Sequence, residues 1–368
     1  MKELAGVVLK DFARYATRIY RPGRDRRSNP PWVWLRNRHE RLTPNSSGPG
    51  VQCEWMWGSE LHACQVLPLL GRALLERAMR DWPIRFAPSP QGSSGPMVSF
   101  LFAHGGYDRL PQLRQVIRSV FAQRGVRVEC VVADMSPESV AADLPAGAKH
   151  LRIATDRLPP GWYKSWAFNL AARAATGDVL VFHDGDVCVP MDYAAEVARV
   201  VLKEGYDVAS IQRFLFYFDE ASTQMVNWEA FILPGITPTR VLQNWKGGTI
   251  ALASKTFFEL GGFDEGFVDW GGEDDEFFDR CRLRRHCRYG YVPFVHLYHP
   301  PQPDRRAPDN VNVARALPMR LAISPIERIA ELRERAWGNA DGPAPASSYK
   351  DMFKSGRCVR VVSFDEPR

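Results

Sequence analysis

Residues 179–186 read Val-Leu-Val-Phe-His-Asp-Gly-Asp, an apolar run that ends in two carboxylates. Four consecutive apolar residues predict a strand buried on both faces, as in a parallel sheet. In open α/β sheets, ligands bind outside the carboxyl edge of such strands. Asp184 and Asp186 are two residues apart in an extended segment, so they share a face and can converge on one cation. An Asp-Gly-Asp sequence is also common in turns, and that alternative stays open.

A second acidic feature lies about ninety residues further on, where residues 270–276 read Trp-Gly-Gly-Glu-Asp-Asp-Glu. Four adjacent carboxylates repel one another, so a helix dipole and a polar ligand must compensate for them. The glycine pair permits positive φ beside Trp270, as a mobile loop facing a substrate needs. A solvated, acid-rich first helical turn is the simpler interpretation.

Two histidines, His296 and His299, follow the apolar stretch 291–295 and precede Pro300. Imidazole nitrogens together with a carboxylate suit a transition metal such as Mn²⁺ better than an all-oxygen Ca²⁺ site. Residues three apart in a strand lie on opposite faces, so shared ligation requires a break in the strand, which Pro300 imposes. A hydrogen-bonded structural pair of histidines is the alternative.

The rest of the chain alternates apolar strands with helical stretches at 110–123, 163–175 and 191–203. This alternation predicts an α/β fold in which helices flank a largely parallel central sheet. Residues 61–79 predict one helix, because Leu67, Leu70, Leu74 and Leu75 lie on one of its faces. The sequence Ser-Pro-Ile-Glu at 324–327 is a capping box, and the helix it starts is expected to end at Gly338.

These elements indicate three regions. Residues 1–95 are expected to form a mainly helical accessory region rich in Arg and Trp, and a Pro/Ser/Gly-rich linker follows it. Residues 96–310 are expected to form the main α/β domain, and residues 311–368 a C-terminal helical extension and tail. A chain of 368 residues with 45% hydrophobic residues can bury one large or two modest cores.

Composition also bears on location and partners. The sequence contains no run of about 18 apolar residues, which a membrane span would need. The apolar run at the N-terminus is too short for a signal peptide, and an odd number of cysteines, seven, favours reduced thiols. We therefore expect a cytoplasmic protein, with no nucleic acid among its partners. The first forty residues hold ten Lys or Arg against four acids, a surplus equal to the whole-chain net charge of +6. That surplus favours either a solvated basic face or peripheral contact with an anionic membrane at its inner face.

With these motifs identified, residues 97–310 resemble the metal-dependent GT-A glycosyltransferases. Residues 98–103 and 128–134 are similar to the opening strands of family 2 enzymes. Residues from Gly247 through the acidic run are similar to the acceptor half of β-1,4-galactosyltransferases and of chondroitin-type N-acetylgalactosaminyltransferases. The sequences VFHDGDVCVPMD and HLYHPP are similar to the two metal motifs of that group.

The resemblance implies a role for each candidate residue. The implied metal ligands, for Mn²⁺ with Mg²⁺ as the alternative ion, are Asp186, His296 and His299. The implied donor-binding residues are Asp134 near the uracil, Lys164 at the phosphates, Asp184 at the ribose or the metal shell, and Gly247 and Gly248 beside the sugar. The implied base is Asp274, and the implied acceptor-binding residues are Trp270, Glu273 and Asp275. Arg109 replaces, from a shifted position, an arginine segment that helps to bind the diphosphate in the galactosyltransferases.

The function implied by the resemblance is metal-dependent, inverting transfer of a hexose or N-acetylhexosamine from a UDP-sugar to a hydroxyl of a glycan or glycoconjugate. Retaining relatives carry Asn at the position of Asp274, so the aspartate favours inversion. Two other functions stay open at this point. One is a UDP-sugar hydrolase or nucleotidyltransferase that uses the same donor site. The other is a non-catalytic glycan or membrane adaptor.

Overall fold

A computed structural model describes most of the chain. The described residues are 2–21, 29–53, 59–89, 95–156, 158–226, 235–243, 248–300, 310–344 and 348–354. The helices are α1 Lys2–Lys10, α2 Phe12–Tyr20, α3 His62–Val66, α4 Pro68–Asp81, α5 Leu110–Phe121, α6 Lys164–Ala174, α7 Tyr193–Ala198, α8 Glu220–Met225, α9 Ser254–Glu259, α10 Glu273–Cys281, α11 Leu317–Leu321, α12 Pro325–Glu334 and α13 Tyr349–Lys354.

The strands are β1 Leu42–Pro44, β2 Val51–Cys53, β3 Ser59–Glu60, β4 Met97–His104, β5 Arg127–Asp134, β6 Lys149–Arg152, β7 Val179–His183, β8 Val187–Cys188, β9 Val208–Ala209, β10 Gln212–Tyr217, β11 Arg240–Gln243, β12 Thr249–Ala253, β13 His286–Cys287 and β14 Val292–His296. Short 3₁₀ turns lie at Pro31–Trp34 and Ala141–Asp143, and π-helical turns at Arg199–Lys203 and Asn312–Ala316.

The main sheet has the strand order β13-β9-β12-β7-β4-β5-β6. Strands β7, β4, β5 and β6 pair in parallel, and β12 pairs antiparallel with both β7 and β9. All five residues of β7 are buried, as the apolar run predicts. The fold is therefore α/β with a largely parallel central sheet, which confirms the prediction. Asp184 directly follows the buried strand β7, so it lies at the carboxyl edge of this sheet.

A second sheet, which the sequence did not predict, has the order β3-β11-β10-β14-β8. Most of its pairs are antiparallel, but β10 and β14 run in parallel and place Tyr217 beside His296. Strand β8 pairs antiparallel with β14, and Val187 of β8 lies opposite His296. Val187 immediately follows Asp186 in sequence, so Asp186 lies close to His296. The two sheets therefore bring the two metal motifs together, although more than a hundred residues separate them in sequence.

The single helix predicted over 61–79 is wrong, because α3 and α4 are separate helices. Leu67 leaves the helical conformation with φ −126° and ψ 84°, and Pro68 starts α4. A proline has no N–H to continue the first helix and disfavours a helical conformation in the residue before it. The apolar face itself is as predicted, since Leu70, Leu74 and Leu75 are buried.

The start of α12 is as predicted and its end is not. Ser324 Oγ accepts from Glu327 N, and Ser324 N donates to the Glu327 carboxylate, so the capping box is complete. The helix ends at Glu334 rather than Gly338, because Arg335 is extended and its guanidinium lies 2.9 Å from the buried Asp264 carboxylate. Gly338 instead permits close packing, since a Cβ there would lie 2.6 Å from Arg173 Nε.

The first ninety residues share a hydrophobic core with the strands of both sheets. Val7, Tyr15 and Trp32 belong to the same buried cluster as residues of β4, β7 and β14. Arg213 of β10 is fully buried and donates to Val33 O at 2.7 Å, which ties this segment to the second sheet. The domain limits at residues 95 and 310 stay a prediction. Within the described ranges, no helix has both the length and the apolar character that crossing a bilayer requires.

Helix α10 is fixed by a buried ion cluster. The Glu276 carboxylate accepts from Arg280 one turn later and from Arg328 of α12, and all three side chains are fully buried. Arg328 also pairs with Asp279, so one guanidinium holds two acids of α10. This cluster sets the position of the whole acidic helix start relative to the C-terminal extension.

Replacing Glu276 by Gln should lower the free energy of unfolding by roughly 3 kcal/mol or more, because it leaves two buried guanidinium groups short of a negative charge. Urea denaturation followed by circular dichroism measures this change. The matched control is Glu259→Gln, a half-exposed partner of Lys255 and Arg284 that should cost less than about 1 kcal/mol. Equal losses in the two variants would contradict this account of the cluster.

Candidate active site

A cleft of about 520 Å³ opens at the carboxyl edge of the main sheet, where the two sheets and α10 meet. Its walls combine charged side chains, aromatic rings and glycines, which is the composition expected of a polar ligand site. The lining residues used below are His104, Gly105, Arg109, Trp162, Lys164, Asp184, Asp186, Tyr217, Gly248, Trp270, Glu273, His296 and His299.

Three predicted metal ligands meet on one wall of the cleft. The ligand atoms of Asp186, His296 and His299 all lie within 4.8 Å of one another, and no other such group occurs among the residues that the structure describes. The Asp186 carboxylate lies 3.1 Å from His299 Nε2 and 3.6 Å from His296 Nε2. One carboxylate and two imidazoles are a donor set that suits Mn²⁺ and similar divalent ions.

Asp186 is held in its ionised form. Its burial alone would raise its pKa, but His296, His299 and Arg109 together lower the pKa below the usual value. Arg109 Nη1 lies 3.5 Å from Asp186 Oδ2. Arg109, whose position in the sequence is shifted relative to the galactosyltransferases, thus lies on the same wall of the cleft as the proposed metal ligand Asp186.

The two histidines are oriented by neighbours outside the group. The ring of His296 stacks on Tyr217 with centroids 4.2 Å apart, and His299 Nδ1 donates to Pro300 O at 2.8 Å. Because a carbonyl only accepts, that bond assigns a proton to Nδ1 and leaves Nε2 as the ring nitrogen that faces Asp186. Such outer contacts fix the tautomer and ring direction of metal-binding histidines. The donor set therefore fits a divalent cation.

The break in the strand occurs just after His296, four residues before Pro300. Leu297 N donates to Asp186 O at 2.8 Å, and Tyr298 N donates to Thr223 Oγ1 at 2.9 Å. These bonds turn the backbone out of β14 and bring His299 back toward Asp186. Pro300 follows the turn and does not cause it alone.

Lys164 lies between the carboxyl edge of the main sheet and the acidic helix α10. Its Nζ is 3.3 Å from Glu273 Oε1, 3.5 Å from Asp184 Oδ1 and 3.6 Å from Asp274 Oδ1. Burial of the ammonium would lower its pKa, but the three carboxylates outweigh burial and raise the pKa well above its usual value. Lys164 is therefore a permanent cation that joins β7 to α10.

Asp274 is a carboxylic acid whose pKa is raised by its surroundings. Its surroundings desolvate it and raise its pKa to about 7, with Glu273, Asp184 and Asp275 adding to the effect and Lys164 opposing it. Its side chain is nevertheless 41% exposed, so the carboxylate remains accessible to solvent and to an incoming hydroxyl. A base with a pKa near neutrality is matched to proton abstraction at physiological pH.

The glycine pair before α10 has the backbone that the sequence predicted. Gly271 and Gly272 have φ +99° and +91°, and a Cβ on either would lie under 3 Å from Val313 or Phe267. The loop is held by Asn310 Nδ2, which donates to Trp270 O at 3.0 Å. This bend places the Trp270 ring at the rim of the cleft and the helix start beneath it.

The four acids at 273–276 have different surroundings. Glu273 lines the cleft and is 94% buried, and its Oε2 accepts no hydrogen bond from any residue within the described ranges. Asp275 lies outside the lining, and Glu276 belongs to the buried arginine cluster. A buried carboxylate oxygen without a donor is costly, so Glu273 is the acid most in need of a ligand hydroxyl.

The residues predicted to bind the donor also differ in whether they line the cleft. Asp184 N donates to Gly248 O at 2.8 Å, and Gly248 has φ +77°, while Gly247 lies outside the described residues. Asp134 is fully buried and accepts from Ser136 N, Val140 N and His150 Nε2, at 2.9, 3.2 and 2.9 Å. Its contact with a uracil stays a prediction, since Asp134 is not among the residues lining the cleft.

Sequence reasoning missed His104, the last residue of β4. It pairs in register with Asp134, lines the cleft and is 96% buried, and its Nε2 has no hydrogen-bond partner among the described residues. The signal was present, because His104 ends an apolar strand as Asp184 does. Trp162 was missed as well, and a Cβ on Gly105 would lie 2.8 Å from its ring.

Two protein families match this part of the chain. Residues 107–262 match the glycosyl transferase family 2, and residues 238–300 match the family described as the N-terminal domain of galactosyltransferase. The first match contains Lys164 and both aspartates of the Asp-Gly-Asp sequence, and the second contains the acidic run and both histidines. Residues 107–300 thus match glycosyltransferase families, and the metal group and Lys164 lie within the matched residues.

Individual relatives match parts of this chain. The 4,4'-diaponeurosporenoate glycosyltransferase of Staphylococcus haemolyticus is 26% identical over 204 residues, which cover 54% of this chain and 53% of that protein. The chondroitin synthase of Escherichia coli is 40% identical over 75 residues, 19% of this chain and 11% of the synthase. The chain thus spans about half the length of the first relative and a small part of the second. A mannosyltransferase from Pyrobaculum calidifontis, solved with GDP-Man and Mn²⁺, is 18% identical with a TM-score of 0.41, covering 72% of this chain and 76% of that one.

Replacing His299 by Ala should weaken Mn²⁺ binding by more than the roughly 10–100-fold that loss of an outer-shell partner costs, because a direct ligand is removed. Isothermal titration calorimetry with Mn²⁺ alone measures the affinity. His62→Ala is the control, since His62 is exposed on α3 and not part of the metal group. Unchanged affinity in His299→Ala would remove this residue from the ligand set.

Proposed function

We propose that this glycosyltransferase moves a hexose or N-acetylhexosamine from a UDP-sugar to a hydroxyl of a glycan or glycoconjugate, with inversion and with a divalent metal, Mn²⁺ or Mg²⁺. One observation carries the proposal. Lys164 contacts both Asp184, two residues from the metal group, and Asp274, a carboxylate whose pKa lies near 7. The proposed site for a leaving group and the proposed base for an incoming hydroxyl are thus joined by one lysine that lines the cleft.

On the donor side, Asp186, His296 and His299 would hold the divalent ion against the diphosphate. The bound ion would supply Lewis-acid stabilisation of the departing nucleoside diphosphate. Arg109 and Lys164 add fixed positive charge on the same side of the cleft, which favours binding of an anionic diphosphate. Gly248, with its positive φ and no side chain, leaves room for the donor sugar beside Asp184.

On the acceptor side, Asp274 would accept the proton of the attacking hydroxyl. Glu273 would receive a hydrogen bond from another hydroxyl of the same sugar, which satisfies its buried oxygen. Asp275 would bind the acceptor further out, and Trp270 offers a half-exposed ring on which a sugar face can stack. The hydroxyl that loses its proton to Asp274 would attack the anomeric carbon on the side opposite the leaving diphosphate. This single displacement would invert the configuration at that carbon.

The relatives support the acceptor class. The chondroitin synthase match supports a glycan acceptor. The staphylococcal relative is named for 4,4'-diaponeurosporenoate, which supports an acceptor other than a free glycan. We place the enzyme in the cytoplasm, where nucleotide sugars are available, with peripheral contact to an anionic membrane.

Replacing Asp274 by Asn should lower kcat by about 10²–10⁴-fold while the donor affinity stays near that of the parent, because a positioned base contributes about that much. A steady-state assay with a panel of UDP-sugars and mass spectrometry of the products measures the rate. Asp275→Asn is the control on the same helical turn, and it should raise KM for the acceptor more than it lowers kcat. Parent-like turnover in Asp274→Asn, or donor consumption that needs no acceptor, would refute the proposed function.

The value of kcat/KM should rise with pH and level off above about 7, because Asp274 accepts a proton only when its own is lost. Replacing Lys164 by Met should move this rise to higher pH, since the ammonium is what lowers the pKa of Asp274. The measurement is the pH dependence of kcat/KM in the parent and in Lys164→Met. A rise near pH 4 in the parent would show that Asp274 is an ordinary solvated acid.

A further inference from the structure

Helices α1 and α2 expose an unusual number of large apolar side chains. Five of the fourteen exposed large hydrophobic residues among the described ones lie in this short segment, and Leu9 is 82% exposed. The opposite side of the pair is firmly buried. We call the exposed set the α1–α2 face, and its members are Leu4, Val8, Leu9, Phe12 and Tyr20.

The α1–α2 face is held rigidly by the rest of the protein. Val7, Tyr15 and Ile19 pack into the main core on the other side of the helices. Asp11, at the junction, is buried and accepts from Arg14 at 2.8 Å and from Arg38 Nε at 2.9 Å. The apolar side chains therefore stay outside, because their helices are already fixed by the buried side and cannot rotate to cover them.

Basic residues surround the α1–α2 face. Lys2, Lys10 and Arg21 are exposed on the same two helices or just after them. The exposed Glu3 offsets one of these charges, while the buried Asp11 is paired with Arg14 and Arg38 and offsets none. The sequence continues with Arg24, Asp25, Arg26 and Arg27, which add a net charge of +2.

We propose that the α1–α2 face docks this glycosyltransferase on the surface of an anionic lipid bilayer. Leu4, Val8, Leu9 and Phe12 would enter the boundary between headgroups and acyl chains, and the lysines and arginines would pair with lipid phosphates. Apolar side chains flanked by cations are the pattern of helices that lie in the plane of a membrane surface.

The charge argues against the two other occupants of such a face. A second copy of the chain would bring its own basic residues against these, and like charges repel across an interface. A nucleic acid would satisfy the cations but would leave the apolar side chains against a charged backbone. An anionic bilayer matches both features at once.

The test is co-sedimentation of the full chain with vesicles. Vesicles of phosphatidylglycerol and phosphatidylcholine in equal parts should bind the parent, and vesicles of phosphatidylcholine alone should bind it at least about tenfold less. The double variant Leu9→Gln, Phe12→Gln should lower partitioning into the anionic vesicles at least about tenfold. The double variant Lys2→Glu, Lys10→Glu should lower it as well, and added salt should weaken binding of the parent.

The matched control is Leu283→Gln, Ile326→Gln, which removes two exposed apolar side chains elsewhere and should leave vesicle binding unchanged. Thermal melting of every variant checks that the fold is intact. The proposal is overturned if the parent ignores anionic vesicles, binds neutral vesicles equally well, or loses no binding when the face is changed. A dimer in gel filtration that dissociates only in the Leu9, Phe12 variant would assign the face to a second copy instead.

Discussion

The structure of the cleft depends on one mostly buried cation among three carboxylates. Lys164, at the start of α6, contacts Asp184 after β7 and both Glu273 and Asp274 at the start of α10. Without that ammonium, three acids would be placed together in a poorly solvated cleft and would repel one another. The same contacts couple the donor edge of the sheet to the acceptor side, so the two halves of the proposed reaction share one electrostatic centre.

A second ion cluster fixes the geometry of the first. Glu276 binds Arg280 and Arg328 on the inner side of α10, while Glu273 lines the cleft one turn earlier and Asp274 contacts Lys164. Helix α10 is thus held by Arg280 and Arg328 on its buried side and by Lys164 at its N-terminal turn. The bend at Gly271 and Gly272 lets the chain reverse direction just before it, where residues with a Cβ would collide with Val313 and Phe267.

The sequence was informative where a residue's role follows from its local setting. The apolar run before Asp184, the glycines before Glu273 and the strand before His296 each placed their side chains at the cleft, because strand ends and positive φ are local properties. The sequence was uninformative where a residue's hydrogen-bond or ion-pair partner is distant along the chain. Nothing near Glu276 indicates that Arg328, fifty-two residues away, would bury it. Nor does anything near Asp134 indicate that His150 would occupy its carboxylate. The second sheet was missed for the same reason, since β10 and β14 pair across a long stretch of chain.

We propose that Asp186, His296 and His299 hold a divalent ion against the diphosphate of the donor. An anomalous-scattering map from crystals of the full chain soaked with Mn²⁺ and UDP tests this directly. We expect one strong manganese peak at coordination distance from all three side chains, with the diphosphate bound to the same ion. A peak elsewhere in the cleft, or UDP bound with no ion at these residues, would contradict it.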